Sequence, residues 1–393
     1  MRAYHEARSD RAATKSYESL EKKLSPLKGL RVLDFSSLLP GPLASLFLAE
    51  AGADVVRIEK PPLGDDLRRN EPLFGPASAS YAVLNRGKRA YVADMKDVSE
   101  RAKVLTLAGK ADVIIEQFRP GVIDRLGLGY DEVYSRNPRV VYCSITGYGP
   151  DGNFSDRAGH DLTYLAESGL LGLSVGSNGS PTLPPTVIAD IAGGSYPALV
   201  NILLALLQRD VTNRGTHLKV SLTHNLQVMS YSYFAKYQVT SRAPAPNMEK
   251  LTGASPRYQI YGTLDGRWLA VAALEQKFWD RLVDLIDLPE KFRDERGQER
   301  SVIDAMREIF SSKSASYWKS HLTGEDVCAV VVATWEEAVA AGLISVENVG
   351  KVSVPGGDKS ISTLRLPISE EFTVPDSTLP YPSLMTLEGN LPW

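Results

Sequence analysis

Cysteine and histidine are scarce in this sequence, and their scarcity argues against two kinds of structure. The chain of 393 residues has 2 cysteines, Cys143 and Cys328, and 5 histidines. Neither cysteine has a Cys or His neighbour at the spacing of a metal-ligand motif. We therefore expect no metal site and no disulfide framework, and so few thiols in a long chain favour a reducing compartment.

Net charge is also small, and long apolar runs are missing. There are 44 Lys and Arg against 47 Asp and Glu, which gives a formal net charge of -3, so no broad basic field is available to attract nucleic acid. Residues 1–27 mix charges and lack the apolar stretch of a secretory signal. The most apolar segment, residues 198–207, is too short to cross a bilayer. These observations predict a cytoplasmic protein with no nucleic-acid or membrane partner.

Short β-branched runs alternate with helical stretches from Leu30 onward. They cover residues 31–35, 42–51, 54–59, 100–107, 111–117, 132–136 and 140–145. This alternation predicts βαβ units, and therefore an α/β fold whose parallel sheet carries helices on both faces. A long helical stretch at residues 190–207 and a strand at 218–222 follow.

The sequence changes character after two prolines, Pro244 and Pro246. The tripeptide 264–266 (LDG) between two apolar runs predicts a hairpin, and helical patterns at 278–286 and 301–310 precede a strand at 327–332. From Val354, Pro and Gly recur as in an extended tail. We predict an N-terminal extension at 1–28, a large domain at 29–225, a smaller α+β domain at 226–330 and a C-terminal segment at 331–393.

A dinucleotide-binding enzyme is the first function that such a fold suggests. Glu59 closes the second strand, where Rossmann enzymes carry an acidic residue. The turn at residues 36–42, however, has one glycine, Gly41, where close approach of a pyrophosphate needs three. NAD binding stays open with little support. Arginines and lysines at loops and element ends nevertheless permit a phosphate-bearing ligand.

Three polar residues have both a structural and a catalytic interpretation. His160 follows a strand and a glycine-rich loop, a position typical of active sites and equally of structural histidines. Asp190 begins a helical stretch, where a carboxylate caps the helix and amide donors lie near. Glu275 follows a predicted strand, where an exposed polar residue is ordinary. None of the three identifies an activity by itself.

Several ordered blocks resemble the family III CoA-transferases, a group that includes formyl-CoA transferase, carnitine CoA-transferase and α-methylacyl-CoA racemase. The likeness spans nearly all of residues 29–385. It rests on residues 27–35 (LKGLRVLDF), 40–42 (PGP), 52–60 (GADVVRIEK), 84–89 (LNRGKR), 111–113 (ADV) with 118–121 (FRPG), and 146–149 (TGYG). The resemblance implies a Rossmann-like large domain that binds CoA, a smaller α+β domain, a C-terminal segment that returns to the large domain, and an interlocked homodimer.

The resemblance also implies which residues contact CoA, which arrives as part of the acyl-CoA substrate, with no cofactor bound permanently. Cations would lie near the phosphates and apolar surface near the adenine. The implied positions are Ser37, Leu38, Leu39, Pro40, Lys60, Ala93, Lys96, Gln117, Phe118, Arg119 and Arg125.

The branch of the family depends on the neighbours of Asp190. In transferases the matching Asp is a nucleophile, and in racemases it is an acid-base group, so Asp190 fits both. The racemase branch is favoured by His160, because transferases usually place an aromatic residue there. His160 and Asp190 would then exchange protons with opposite faces of an α carbon, with amides at the helix start near the enolate oxygen. Glu275 would orient the imidazole, Tyr258 would hydrogen-bond Asp190, and Asp161 would be structural or take part in proton transfer.

One departure tempers the racemase prediction. Residues 64–81 form a segment longer than racemases usually have and more like that of transferases. We therefore carry three hypotheses: an acyl-CoA α-epimerase, a transferase that moves CoA between an acyl-CoA and a free carboxylic acid, and a CoA-binding protein without catalysis.

Overall fold

The computed structural model describes residues 25–176, 178–346, 350–373, 378–388 and 391–393. Most of the predicted N-terminal extension, residues 1–24, lies outside these ranges. The chain divides into two compact units. The first comprises the described residues of Met1–Leu165, Thr186–Gln227 and Ser345–Trp393, and the second those of Ala166–Pro185 and Val228–Ile344.

The strands and helices are as follows. The strands, in chain order, are β1 (Arg31–Asp34), β2 (Asp54–Glu59), β3 (Leu73–Phe74), β4 (Ala77–Ser78), β5 (Arg89–Val92), β6 (Val113–Glu116), β7 (Val141–Thr146), β8 (Thr216–Ser221), β9 (Gln259–Gly262), β10 (Trp268–Val271), β11 (Ala329–Val331), β12 (Lys351–Ser353), β13 (Ser360–Ser362), β14 (Thr378–Pro380) and β15 (Leu384–Thr386). The α-helices are Pro40–Glu50, Ala79–Asn85, Val98–Ala108, Val122–Arg125, Tyr130–Arg136, Asp161–Glu167, Tyr196–Thr212, Leu222–Asn225, Tyr231–Thr240, Gln276–Leu285, Glu299–Ser311, Ala315–Leu322 and Trp335–Ala340. Short 3-10 turns are Asp66–Arg69, Leu171–Leu173, Leu226–Ser230, Lys250–Thr252, Glu290–Phe292 and Glu370–Phe372, and Ala189–Ser195 is a π-helix.

A seven-stranded parallel sheet organises the first unit. Its order is β15-β5-β2-β1-β6-β7-β8, and every pair in it is parallel. Strands β1, β2, β6 and β7 are mostly buried and each contains Val, Ile or Leu residues, as expected where helices cover both faces. The predicted α/β fold with a parallel sheet is confirmed.

The chain reverses direction across this sheet between β1 and β6. From β1 the chain builds β2 and β5 on one side, and it then returns to add β6, β7 and β8 on the other side. In open α/β sheets, ligands bind at the carboxyl ends of the strands beside such a reversal. The loops after β1 and β6 are therefore the first place to look for a site.

The helical stretch from Ala189 to Thr212 is longer than the apolar run seen in the sequence. The π-helix Ala189–Ser195 continues into the α-helix Tyr196–Thr212, and the 24 residues together are long and apolar enough to cross a membrane, judged by length and composition only. The sequence analysis considered only residues 198–207, which are too few to span a bilayer, and the absence of a membrane partner stays a prediction. One face, including Ile202 and Leu206, is buried in the first unit. A cytoplasmic location stays a prediction.

The second unit has a small antiparallel sheet with order β11-β10-β9. The predicted hairpin is confirmed, since Trp268 pairs with Gly262 and Leu269 with Tyr261 across its turn. Helices Gln276–Leu285 and Glu299–Ser311 pack on the sheet through a buried cluster that contains Trp279 and Phe310. Besides Val228–Ile344, this unit includes residues 166–185, which the predicted boundaries assign to the large domain.

Candidate functional site

The predicted CoA-contacting residues share one edge of the parallel sheet. Each group follows the carboxyl end of a strand, and parallel strands all end at the same edge. The groups are Ser37, Leu38, Leu39 and Pro40 after β1, Lys60 after β2, Ala93 and Lys96 after β5, and Gln117, Phe118 and Arg119 after β6, with Arg125 at the end of the helix Val122–Arg125. The side chains of Lys60, Lys96, Arg119 and Arg125 are exposed. Exposed cations at this edge suit the phosphates of a nucleotide ligand.

Gln117 links the two loops that flank the chain reversal. Its Oε1 accepts a hydrogen bond from the Gly41 N–H at 3.2 Å. A Cβ at Gly41 would lie 2.2 Å from the Ser36 Cβ, so only glycine fits at this crossing of loop and helix. Gln117 therefore positions the β1 loop, a task distinct from the direct ligand contact predicted for it.

Asp190 lies in the π-helix Ala189–Ser195, an arrangement that sequence periodicity does not predict. Its segment approaches its neighbours closely, since a Cβ at Gly193 would lie 2.4 Å from the Leu222 carbonyl oxygen. Ile188 is the N-cap residue and has no side-chain hydrogen bond, and Asp190 lies in the first turn. Asp190 therefore does not cap the helix by a side-chain hydrogen bond, but its carboxylate is placed to interact with the helix dipole. Single π turns inside helices occur frequently at functional sites.

Asp161 holds the backbone of Asp190. Its Oδ1 accepts the Asp190 N–H at 2.9 Å, and its side chain is buried at the start of the helix Asp161–Glu167. The Asp190 N–H is therefore already engaged in a hydrogen bond. A donor occupied by a carboxylate is not available to substrate, so the Asp190 N–H cannot be one of the amides expected near an enolate oxygen. That role for the other amides at the helix start stays a prediction.

His160 directly precedes Asp161, at the same helix start. Its backbone is fixed by Thr163, whose hydroxyl donates to the His160 carbonyl at 2.8 Å and accepts the His160 N–H at 3.0 Å. The imidazole is near enough to Asp190 for its charge to stabilise that carboxylate. His160, Asp161 and Asp190 thus converge in the first unit, from segments 29 residues apart between Asp161 and Asp190.

The environment raises the pKa of Asp190 to about 6 from the ordinary 3.8. Burial is the largest cause, the negative charge of Asp161 adds to it, and His160 opposes it. An acid with a pKa near the working pH transfers protons in both directions with little penalty. The site therefore contains a carboxyl group suited to proton transfer beside an imidazole.

Tyr164 lies near enough to Asp190 to be affected by its charge, and no role was predicted for it. Its hydroxyl donates to the Gly159 carbonyl at 2.7 Å, and its ring packs edge-on against Tyr148 at 5.2 Å. Burial, with the charge of Asp190, raises the pKa of Tyr164 to about 12, so it stays neutral. Its pairing with the loop before His160 depends on a tertiary contact, and no local sequence signal announces it.

A cavity of about 230 Å³ opens at the same sheet edge, beside β6, β7 and β8. Phe118 and Arg119 line it together with the stacked rings of Tyr130 and His217. Glu116 also lines it. Burial raises the pKa of Glu116 to about 7 although Ser144 hydrogen-bonds it, and its carboxylate accepts the Phe118 N–H at 2.8 Å. Sequence reasoning did not single out Glu116, because it reads as the last residue of a buried strand.

Tyr258 and Glu275 lie in the second unit. Glu275 precedes the helix Gln276–Leu285, its side chain is exposed, and its carbonyl accepts the Phe278 and Trp279 amides, each at 3.1 Å. Tyr258 is 38% exposed. Their predicted roles toward His160 and Asp190 stay predictions. Among the described residues, no group of three or more His, Cys, Asp or Glu side chains is arranged to hold a metal ion.

Comparison with known proteins gives consistent matches over most of the chain. The model of CoA-transferase family III matches residues 27–384. The chain is 33% identical to human alpha-methylacyl-CoA racemase over 80% of this chain and 79% of that protein, and 31% identical to human succinyl-CoA:glutarate CoA-transferase over 85% and 80%. A crystal structure of a CaiB/BaiF family protein from Brucella suis superimposes with a TM-score of 0.72 at 28% identity, over 92% of this chain and 95% of that one.

Proposed function

The chain belongs to CoA-transferase family III, and we propose that within this family it interconverts the stereoisomers of α-substituted acyl-CoA thioesters, such as 2-methyl-branched ones. The observation that carries the proposal is the convergence of His160 with Asp190, whose backbone Asp161 holds. Relatives at about this level of identity are named both racemases and CoA-transferases. The side chains beside Asp190 are therefore the basis for choosing between the two activities.

The reaction needs two proton-transfer groups on opposite faces of the α carbon. One group, His160 or the Asp190 carboxylate, removes the α proton, and the electron pair moves into the thioester carbonyl to form an enolate. The other group, in its protonated form, returns a proton to the opposite face as the carbonyl re-forms. Each turnover exchanges the protonation states of the two groups, so the reverse reaction starts from the enzyme that the forward reaction leaves.

The raised pKa of Asp190 supports this use of a carboxyl group. An ordinary carboxylic acid, with a pKa near 3.8, is a weak base toward an α proton. Burial and the nearby Asp161 charge bring the pKa to about 6, so protonated and ionised forms both exist near neutral pH. We further propose that Glu275 orients the imidazole, that Tyr258 hydrogen-bonds Asp190, and that Asp161 acts by positioning.

The carboxyl edge of the sheet is the proposed binding place for the CoA part of the substrate, with no cofactor retained between turnovers. Exposed Lys60, Lys96, Arg119 and Arg125 offer charge to the phosphates. The turn at residues 36–40 is continuous with the helix Pro40–Glu50, and the Ser195 hydroxyl donates to the Pro40 carbonyl at 2.9 Å. The segment that carries Asp190 is thus fixed directly to the proposed CoA-binding turn.

Isotope exchange at the α carbon tests the epimerase proposal. Incubation of a chiral 2-methylacyl-CoA with the enzyme in deuterium oxide should introduce deuterium at the α carbon and scramble its configuration. His160→Ala should lower the exchange rate by about 100-fold or more, the usual contribution of a positioned acid-base group, whereas His224→Ala, at an exposed histidine in the same unit, should exchange normally. Absence of exchange by the wild type over a panel of acyl chains would reject the proposal.

A CoA-transferase is the second candidate, favoured by Asp190 and by the transferase-like length of residues 64–81. In that reaction the Asp190 carboxylate attacks the thioester carbonyl and expels CoA as its thiolate, leaving a mixed anhydride. The thiolate then attacks the aspartyl carbonyl and releases the acyl group as its carboxylate, leaving an aspartyl–CoA thioester. An acceptor carboxylate attacks this thioester and expels the CoA thiolate, and the thiolate then attacks the acceptor's carbonyl in the new anhydride, which forms the product acyl-CoA and restores the Asp190 carboxylate. Hydroxylamine should trap such acyl-enzyme species, and an enzyme that binds acyl-CoA but shows neither trapping nor exchange would be the non-catalytic CoA-binding protein.

We also propose that the protein is a homodimer. On the helix Tyr196–Thr212, an apolar stripe opposite the buried face lies in solvent: Tyr196 41%, Val200 54%, Leu203 37%, Leu204 58%, Leu207 66% and Val211 87% exposed. A helix that is apolar on both faces requires a cover on each. A second copy supplies that cover.

Light scattering after gel filtration tests the dimer. The wild type should have about twice the 42.9 kDa chain mass, and the pair Leu204→Lys and Leu207→Lys should reduce it to one chain. Asn201→Lys adds one positive charge off this stripe, compared with two in the pair, and should leave the mass unchanged. A wild type of single-chain mass, or one recovered only with lipid or detergent, would contradict the dimer.

A further inference from the structure

The turn after β1 contains a backbone conformation that its residue disfavours. Leu38 has a φ of 59°, in the left-handed region that glycine adopts freely and leucine rarely does. This turn leads into the helix Pro40–Glu50 and forms part of the proposed CoA-binding edge. Something outside the turn must therefore hold Leu38 in place.

Asp65 provides that hold. Its carboxylate accepts the Leu38 N–H, at 3.2 Å to Oδ2 and 3.4 Å to Oδ1. Asp65 is itself fixed, since its N–H donates to the Glu59 Oε2 at 2.8 Å and its Oδ1 accepts the Leu67 N–H at 2.9 Å. The residue is 3% exposed, so water does not compete for these hydrogen bonds.

Arg57 ties Asp65 to the other side of the same turn. Its Nη2 donates to the Asp65 Oδ2 at 2.8 Å and to the Ser36 carbonyl at 3.0 Å. The guanidinium is fully buried, and the surrounding carboxylates of Asp34, Glu59 and Asp65 keep its pKa above the ordinary value although burial opposes this. One buried cation thus holds the turn and its clamp in a fixed relation.

The clamp belongs to residues 64–81, the segment that sets this chain apart from the usual racemase pattern. Gly64 admits the loop to this position, because its φ is +77° and a Cβ there would lie 2.3 Å from the Glu59 Oε2. Arg68 closes the base of the loop by donating to Glu59 at 2.7 Å. This segment therefore contacts the β1 turn through Asp65.

We propose that Asp65 is a positioning residue that holds the turn at residues 36–40 ready to receive the CoA part of the substrate. This inference rests on the proposed function, which places CoA against that turn. Asp65 acts through the backbone of Leu38 and does not touch the reacting atoms. Its loss should weaken binding and leave the chemical step nearly intact, because His160 and Asp190 lie on other segments.

Calorimetric titration with free CoA tests the inference without depending on turnover. Asp65→Asn should weaken CoA binding about tenfold and raise KM similarly, with kcat within about threefold of the wild type. Asp358→Asn, which makes the same change at an exposed aspartate of the first unit, should bind as the wild type does. A wild type that fails to bind CoA defeats the proposed function, whereas a folded Asp65→Asn enzyme with unchanged affinity defeats only this inference.

The same Asp65 substitution made in a Leu38→Gly variant separates positioning of the turn from a general structural role. Leu38→Gly removes the cost of the left-handed conformation, so adding Asp65→Asn to Leu38→Gly should weaken CoA binding by less than threefold. Equal weakening in the Leu38 and Gly backgrounds would overturn the inference. If Asp65→Asn does not fold, hydrogen exchange of the wild type decides: the peptide containing residues 36–40 should be protected before CoA is added, and an unprotected turn contradicts the proposal.

Discussion

Removing the charge of Asp161 should change the pH dependence of the enzyme while keeping its geometry. In Asp161→Asn the amide oxygen still accepts the Asp190 N–H, which is now bonded at 2.9 Å. The negative charge that helps to raise the pKa of Asp190 is lost. Protonation of both His160 and Asp190 leaves no base, so the rate of the wild type should fall as pH falls through about 6, the pKa of Asp190.

The expected displacement follows from the causes of that pKa. Burial is the largest cause and persists in the variant, the Asp161 charge comes second, and His160 acts in the opposite direction. Together they take the pKa from 3.8 to about 6. Removal of the Asp161 charge should therefore lower the pKa of Asp190 by on the order of one unit, equivalent to ~1.4 kcal/mol. The acid limb of the pH–rate profile, the range in which the rate falls as pH falls, should move to lower pH by the same amount.

The assay is loss of deuterium from a 2-deuterated acyl-CoA in water, followed as kcat/KM between pH 4.5 and 8. Asp156→Asn, at an exposed aspartate in the loop before His160, serves as the control and should keep the limb of the wild type. Thermal unfolding checks that both variants fold. A limb that stays in place in Asp161→Asn, or moves to higher pH, would show that the Asp161 charge does not act on the titrating group.

Three further substitutions test the packing around the site and the two cores. Gly193→Ala should displace the π-helix and lower exchange activity at least tenfold, because its Cβ would meet the Leu222 carbonyl at 2.4 Å, whereas Gly172→Ala, with open space around it, should be silent in the same assay. Phe310→Ala should destabilise the second unit by about 3–5 kcal/mol in denaturant unfolding, because the ring is fully buried; an effect below 1 kcal/mol would contradict the packing described. Glu59 has a pKa of about 2, because the interactions with Arg68 and Arg57 outweigh the effect of burial. The ionised carboxylate therefore stabilises the folded protein by about 3 kcal/mol above the unfolded pKa near 4.5, and this contribution is lost as pH falls toward 2. The difference in unfolding free energy between wild type and Glu59→Gln should therefore shrink on acidification.

The central strands of the parallel sheet could be predicted from the sequence, because their buried apolar residues form a recognisable pattern. Strands β1, β2, β6 and β7 are mostly buried and contain Val, Ile or Leu, and their alternation with helical stretches predicts a parallel sheet. Strands β5 and β15 were missed because Arg89–Val92 and Leu384–Thr386 are short and partly polar. Their strand character comes from pairing, Leu384 with Ala90 and Val56 with Arg89, and pairing partners distant in sequence leave no local pattern.

The residues of the candidate site could be proposed from the sequence, but their contacts with one another could not. His160 and Asp190 were singled out by their positions in the sequence, and their paired roles came from the family resemblance. Spacing along the chain carried no information about their approach. The π-helix at Asp190 depends on close packing of Gly193 against Leu222, and Asp161 was assigned no contact with the Asp190 backbone. Residue types therefore suggested the chemistry, whereas tertiary packing determined which donors and acceptors were still available to a substrate.

The hydrogen bond between Ser195 and Pro40 joins the segment that carries Asp190 to the proposed CoA-binding turn. The Ser195 hydroxyl lies in the same π-helix as Asp190 and donates to the Pro40 carbonyl at 2.9 Å. Pro40 continues from the turn that Asp65 and Arg57 hold at Ser36 and Leu38. A movement of Pro40 would therefore carry the Asp190 segment with it or break a buried hydrogen bond, whereas a local change at Leu38 leaves that hydrogen bond in place. Because misplacement by about 1 Å costs on the order of 100-fold in rate, fixing both segments to Pro40 keeps the distance from the CoA-binding edge to the proton-transfer group constant during turnover.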